Sequence, residues 1–184
     1  MIRGSCLCGR VSFEFGEVDS SFRLCHCHRC QKASGSAFFA GFLVKGLKFL
    51  AGEEVIRSFE APILKFPPAY RRDFCECCGS PVPWPSIESG THAVPAGSLD
   101  EDPGVRPEEH VCVECIAPWD EITDQLPQLT QAQIFYNWAR DSEESGVNAI
   151  ERYEFVLEQY PDGEQVDEVK QRLVALKSAK SNPR

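Results

Sequence analysis

The chain lacks a surplus of positive charge: 19 Lys and Arg stand against 28 Asp and Glu, a net charge of −9 at pH 7. No cluster of basic residues offsets that balance locally. A nucleic-acid surface needs a basic patch that neutralises phosphates and releases counterions, so no nucleic-acid partner is expected, and an anionic membrane surface is equally disfavoured. Long apolar runs are also missing. No window approaches the ~20 apolar residues that cross a bilayer, and Met1-Ile2-Arg3-Gly4-Ser5-Cys6 has no apolar core of signal-peptide length. The expectation is a cytoplasmic protein with no membrane partner, in which thiols stay reduced and closely spaced cysteines act as metal ligands rather than disulfides. The last absence is cysteine itself beyond Cys115, which is the tenth of ten. Whatever sulfur does here is done in the first two thirds of the chain.

What is present reads as globular: 42% of the 184 residues are apolar and 26% charged, enough for one ordinary domain with an appendage. Residues 1–129 are rich in Gly and Pro with short apolar runs. Val11-Ser12-Phe13-Glu14-Phe15 alternates like a half-buried strand. Phe38–Val44, Val55–Phe59, Ile63–Phe66, His92–Val94 and His110–Val113 are further strand candidates. Pro67, Pro68, Pro81, Pro83 and Pro85 break helices and confine strands to sheet edges. A mainly β body of short strands follows. Residues 130–184 differ. Gln131 to Arg140 is helix-compatible; Val147, Ile150, Tyr153, Leu157 and Tyr160 form an amphipathic stripe; Pro161-Asp162-Gly163 ends it; and Val166, Val169, Leu173 and Leu176 form a second stripe. The expectation is a C-terminal α-helical hairpin, similar to one tetratricopeptide-type unit. A single such unit does not bury its own apolar face, so it needs a surface to cover it: the β body, a second copy in a homodimer, or a protein partner docked through residues 130–180.

The cysteines fall into knuckles of the kind that place two thiolates on one side of a turn around zinc. Cys75-Glu76-Cys77-Cys78-Gly79 contains a Cys-x-x-Cys pair, and Cys6-Leu7-Cys8-Gly9 a tighter one. Joined, they tie the start of the chain to its middle and stabilise a small β body. Cys25-His26-Cys27-His28-Arg29-Cys30 has three cysteines with no obvious fourth. Three protein ligands and an open position suit a catalytic zinc; alternatively His26, His28, Cys77, Cys112 or Cys115 closes the site. Thiolates at alternate positions leave His26 and His28 pointing elsewhere, as neighbours more than ligands. Cys112 and Cys115 have knuckle spacing but sit in a strand-like run, where residues three apart face opposite ways, which favours buried or free thiols. Cys77 lies idle between better candidates.

Gly4-Ser5-Cys6-Leu7-Cys8-Gly9-Arg10-Val11, Cys25-His26-Cys27-His28-Arg29-Cys30-Gln31-Lys32-Ala33-Ser34-Gly35-Ser36-Ala37-Phe38 and Arg72-Asp73-Phe74-Cys75-Glu76-Cys77-Cys78-Gly79-Ser80-Pro81 together resemble the glutathione-dependent formaldehyde-activating enzyme family, which includes centromere protein V. His110-Val111, Ala117-Pro118-Trp119 and Leu126-Pro127 are similar to that family's ending, so the resemblance covers about residues 2–128. It implies a zinc-stabilised β-tent of several small antiparallel sheets. It implies two zinc ions: a structural one on Cys6, Cys8, Cys75 and Cys78, and a second on Cys25, Cys27 and Cys30 at the active site. It also implies a carbon–sulfur lyase that joins glutathione, as co-substrate, to formaldehyde. The helical hairpin lies outside the shared pattern.

Three thiolates on a divalent cation leave a formal charge of −1, which Arg29 or Lys32 is placed to offset while attracting a glutathione carboxylate. Trp119, Phe38 and Phe39 are candidate pocket walls. The enzyme reading thus takes a small-molecule thiol and aldehyde as substrates. Its alternative is a non-catalytic zinc module whose hairpin recruits a partner. A thiol–disulfide redox role ranks last, because no Cys-x-x-Cys opens a helix after a strand.

Overall fold

The structure, a computed structural model, describes residues 1–60, 70–86, 90–145 and 148–181. The expected strand at Ile63–Phe66, Pro67 and Pro68, and Val147 of the helical stripe, lie outside the described residues. The chain divides into two compact units, Met1–Gln128 and Leu129–Arg184.

Among the described residues the first unit has twelve short strands: β1 (Ile2–Ser5), β2 (Ser12–Phe15), β3 (Arg23–Cys25), β4 (Phe39–Lys45), β5 (Lys48–Ala51), β6 (Ile56–Glu60), β7 (Arg71–Cys75), β8 (Pro81–Val82), β9 (Trp84–Pro85), β10 (Thr91–Pro95), β11 (Glu109–Val111) and β12 (Gln128–Leu129), the last at the point where the units divide. They form three small sheets ordered β1-β2-β5, β12-β11-β3-β4-β10-β9 and β6-β7-β8. One short helix, α1 (His28–Ser34), interrupts them.

The alternation at 11–15 does what its period demands. Phe13 and Phe15 are fully buried, each worth roughly 1.5–3 kcal/mol against exposure, and they join Phe22, Leu24, Phe42, Val44 and Val94 in the main core. Prolines cannot donate to a ladder, and Pro81 and Pro85 accordingly lie in β8 and β9, each at the end of its sheet. The pairings are mostly antiparallel. β11 runs parallel to β3 in the register Glu109↔Arg23, His110↔Leu24, Val111↔Cys25. The strand-like run expected over 110–113 stops at Val111. Cys112 adopts φ 59° and Val113–Cys115 is a 3-10 turn. The alternation argument applied to Cys112 and Cys115 therefore fails, because the backbone there is no strand.

The second unit has three helices: α2 (Gln131–Ser145), α3 (Ala149–Gln159) and α4 (Val166–Ser181). Thr130 and Gln133 exchange the two hydrogen bonds of a capping box, Thr130 N to Gln133 Oε1 at 2.8 Å and Gln133 N to Thr130 Oγ1 at 3.3 Å. The expected hairpin is α3–α4. Its apolar face is not left bare: Tyr136 and Ala139 of α2 close over Tyr153, Val156, Val169 and Leu173. The segment from Gln131 is thus a full third helix and supplies part of the cover that the two stripes alone lack. No described helix is long and apolar enough to cross a membrane.

Candidate metal centres

Cys6 follows β1 and Cys75 ends β7, so two sheets deliver the two knuckles. In both, the chain turns back through a glycine at φ +73°, Gly9 and Gly79, whose N–H bonds the carbonyl of Cys6 or Cys75 at 2.8 Å. The sulfurs of Cys6, Cys8, Cys75 and Cys78 all lie within 4.8 Å of one another. Cys6 Sγ is 3.6 Å from Cys8 Sγ, and Cys8 Sγ is 3.9 Å from Cys75 Sγ. Tetrahedral thiolates at 2.3 Å from zinc stand about 3.8 Å apart, so the spacing suits that ion; disulfide sulfurs are far closer, and all ten cysteines are free.

The backbone is arranged for the ionised form. Val11 N–H donates to Cys6 Sγ at 3.3 Å, and Arg10 N–H to Cys8. Those of Cys77 and Cys78 donate to Cys75, and those of Ser80 and Cys8 to Cys78. The Ser80 hydroxyl pulls the Cys78 thiol down to about 6, whereas burial pushes Cys75 up to about 12. Four crowded sulfurs in such a mixture favour a cation that lets all of them ionise. Cys77 is exposed, with Arg10 Nη1 at 3.4 Å from its sulfur.

The second cluster is Cys25 at the end of β3, Cys27 capping α1 and Cys30 within α1, again with all sulfurs inside 4.8 Å. Cys30 N–H donates to Cys27 Sγ at 3.4 Å, and Arg72 Nη2 to Cys30 Sγ at 3.5 Å. Arg72 is fixed: its guanidinium lies 3.9 Å over Trp84, 4.2 Å over Phe39 and 4.7 Å over Tyr70. Hydrogen bonding among the sulfurs pushes Cys25 and Cys30 up and Cys27 down. Three adjacent thiols cannot all lose their protons without a cation. Thiolate donors are soft and suit zinc, so this set also fits a metal ion.

His26, expected to point away as a surface neighbour, is instead completely buried. Its Nε2 meets His110 Nδ1 at 2.8 Å, His110 Nε2 reaches Asp124 at 3.1 Å, and His26 Nδ1 faces Asp120 Oδ2 at 4.0 Å. The ring fastens β3 to β11. Burial, with His110 beside it, holds its pKa below the usual histidine value. His28 is exposed. Gln31 Nε2 donates to both His26 O at 2.6 Å and Cys115 O at 2.7 Å, tying α1 to the turn after β11. Trp119 is 73% exposed, so it is no pocket wall, whereas Phe39 packs on Trp84.

Beside Cys30 opens a cavity of about 390 Å³ lined by Arg29, Lys32, Tyr70, Arg72, Phe74 and Pro81, among others. Its cations outnumber its single acid, Asp73, whose carboxylate is already held by Arg71 at 2.9 Å. Sequence reasoning points to Arg29 and Lys32 but misses Arg72 and Tyr70. The signal for the first of these was the Arg72-Asp73-Phe74-Cys75 run, where the arginine sits three residues before a knuckle.

Small sheets carrying two gathered cysteine sets define a metal-capable β protein. The family description "Glutathione-dependent formaldehyde-activating enzyme" matches residues 1–115, and the chain belongs to that family. No curated protein matches it. Among solved structures, a crystal structure of a Rhodobacter sphaeroides protein is 17% identical, with a TM-score of 0.43, and the match covers 68% of this chain and 98% of that one.

Proposed function

We propose that the protein is a zinc-dependent carbon–sulfur lyase-type enzyme that makes or breaks adducts of glutathione, or a similar thiol, with formaldehyde or another small aldehyde. The observation that carries this reading is the three-sulfur cluster at Cys25, Cys27 and Cys30, joined through Arg72 to a cationic cavity that Arg72 lines. Cys6, Cys8, Cys75 and Cys78 hold a structural zinc; Cys25, Cys27 and Cys30 hold the second. Zinc there lowers the pKa of a thiol and polarises a carbonyl oxygen.

The chain's own residues do the rest. Arg72, locked by aromatic stacking and donating to Cys30 Sγ, offsets the excess negative charge of three thiolates. Arg29 and Lys32 line the same cavity and take the carboxylates of a thiol such as glutathione. An acidic protein with three cations gathered at one cavity favours a small anion there over a polyanion. The family portion, residues 1–129, acts as the catalytic zinc domain, residues 130–184 are a helical extension, and the need for reduced thiols favours the cytoplasm.

The test is metal analysis combined with NMR exchange spectroscopy on glutathione with formaldehyde and several other aldehydes. Two zinc ions per chain and accelerated exchange between free and thiol-bound aldehyde, lost in Cys27→Ser, are expected. Two bound ions with no acceleration for any pair of substrates would leave a zinc module without catalysis.

A further inference from the structure

Cys112 is the buried sulfur that the proposed reaction leaves without a role. It follows Val111, whose register partner across the parallel β3–β11 pair is Cys25, and His26 N–H donates to Val111 O at 2.9 Å. The two chain segments therefore travel side by side into the cluster. At Cys112 the backbone turns sharply, with φ 59° and ψ 43°. For a residue with a Cβ this left-handed conformation costs about 1–2 kcal/mol, and it persists only where the surroundings enforce it. The surroundings are plain. The His26–His110 bond at 2.8 Å clamps the strands, and Gln31 bridges His26 O to Cys115 O on the far side of the turn. The Cys112 side chain is buried, at 6% exposure, and interacts with the thiols of Cys25 and Cys27, although its sulfur stands outside the set of three that lie within 4.8 Å of one another.

We propose that Cys112 supplies the fourth sulfur of the second metal site, as the ligand that an incoming thiol replaces. The inference rests on Cys25, Cys27 and Cys30 being metal ligands. A fourth thiolate keeps water from the metal at rest. In the exchange one metal–sulfur bond to Cys112 breaks, one to the substrate sulfur forms, and the substrate's thiol proton passes to Cys112. The charge of the site is unchanged, so the exchange carries little electrostatic penalty. Cys112 suits this part because it meets the Cys25–Cys27 side of the cluster, while Cys30 is held by Arg72, which lines the cavity.

The experiment substitutes cobalt(II) for zinc in the full-length protein, counts ions by native mass spectrometry, and reads the sulfur-to-cobalt charge-transfer band, whose intensity scales with the number of bound thiolates. The wild type is expected to hold two ions with intensity for eight sulfurs, the four of the first cluster and the three of the second plus Cys112. Cys112→Ser is expected to lose about one eighth of that band and to bind its second ion more weakly by over 10–100-fold, the range for merely outer-shell partners. Cys115→Ser is expected to change neither. Adding glutathione to the wild type is expected to make Cys112 alkylatable by iodoacetamide while both ions remain. One bound ion in the wild type overturns the reading of the second site and Cys112 with it. Two ions with seven sulfurs overturns Cys112 alone, and the wild type shows this even if the variant does not fold. Eight sulfurs with Cys112 protected at saturating glutathione overturns its replacement by thiol.

Discussion

The two cysteine clusters are made of the same donor and held in opposite ways. In Cys6, Cys8, Cys75 and Cys78 each sulfur receives backbone N–H groups from the two knuckle turns, and the members come from two sheets that share a buried core of Cys6, Val11, Cys75 and Val82. In Cys25, Cys27 and Cys30 one backbone N–H, that of Cys30, reaches Cys27 Sγ, and a side chain, Arg72, reaches Cys30 Sγ while lining a cavity. A ligand set written into the backbone is one whose metal cannot leave without the fold leaving too. A set adjusted by side chains beside a cavity can tolerate an exchange of ligands. One fold can in this way separate a metal for holding from a metal for reacting.

The strongest challenge to this contrast is a measurement of stability. Cys75→Ser is expected to abolish the cooperative melt of the β unit and the binding of the first ion, because structural zinc contributes about 10–16 kcal/mol in small domains, as much as a whole fold is worth. Cys27→Ser is expected to lose one ion yet keep its far-ultraviolet circular dichroism. If Cys27→Ser unfolds as completely as Cys75→Ser, both metals are structural and the contrast is gone.

Next in size is the order of metal release in acid. The sign follows from the thiols. In the first cluster two of the four thiols, Cys6 and Cys78, sit below the usual thiol value while Cys8 and Cys75 sit above it; Cys78, at about 6 through the Ser80 hydroxyl, remains a thiolate until pH falls through that range. In the second cluster only Cys27 is lowered, while Cys25 and Cys30 are raised and take up protons sooner. Zinc release followed with a chromogenic chelator from pH 8 to 5 is expected in two steps, the first absent in Cys27→Ser. A single step for both ions would erase the distinction.

Some of this was legible in the chain and some was not, for physical reasons. The strand at Phe13 and Phe15 was legible because period two is a local property, and Pro81 and Pro85 marked edge strands because a missing N–H is local too. The parallel β3–β11 pair joins residues more than eighty positions apart and has no local signal. Much that depends on it was therefore missed: the burial of His26 and its bond to His110, while the approach of Cys112 to the cluster stood only as one of several alternatives for closing the site. Local pattern also misjudged Cys112 directly, since Val111-Cys112-Val113 reads as a strand while the clamp of His26 and Gln31 bends it. The second stripe of the hairpin was legible, but its cover from α2 was not, because Tyr136 and Ala139 belong to a segment whose pattern ended early at Arg140.

A smaller effect refines the contrast at the second site. Arg72→Gln removes the cation that donates to Cys30 Sγ. The affinity of the second ion is expected to fall about 10–100-fold, the usual loss for a partner of a metal ligand, with the first ion unaffected. Lost stacking on Trp84 and Phe39 costs the fold about 1–2 kcal/mol more. Chelator competition separates the two terms, since the stacking loss moves the melting temperature and leaves the binding of the first ion in place.

The mildest substitutions isolate the turn from the sulfur. Gly79 and Gly35 each have a positive φ, +73° and +67°, with nothing within 4 Å of where a Cβ would stand. Alanine at either position meets no clash, so its cost is the left-handed conformation alone, about 1–2 kcal/mol in each case. The two positions differ in what the turn holds. Gly79 N–H bonds Cys75 O at 2.8 Å next to Cys78, whereas Gly35 N–H bonds Gln31 O at the end of α1, past the last sulfur. Gly79→Ala is therefore expected to lower stability and the affinity of the first ion together, while Gly35→Ala lowers stability by a similar amount and leaves both ions bound. Because Asn tolerates the left-handed region, Gly79→Asn recovers part of both losses. If Gly79→Ala keeps its metal affinity while its melting temperature falls, the backbone is only a carrier of the first cluster and not part of its grip.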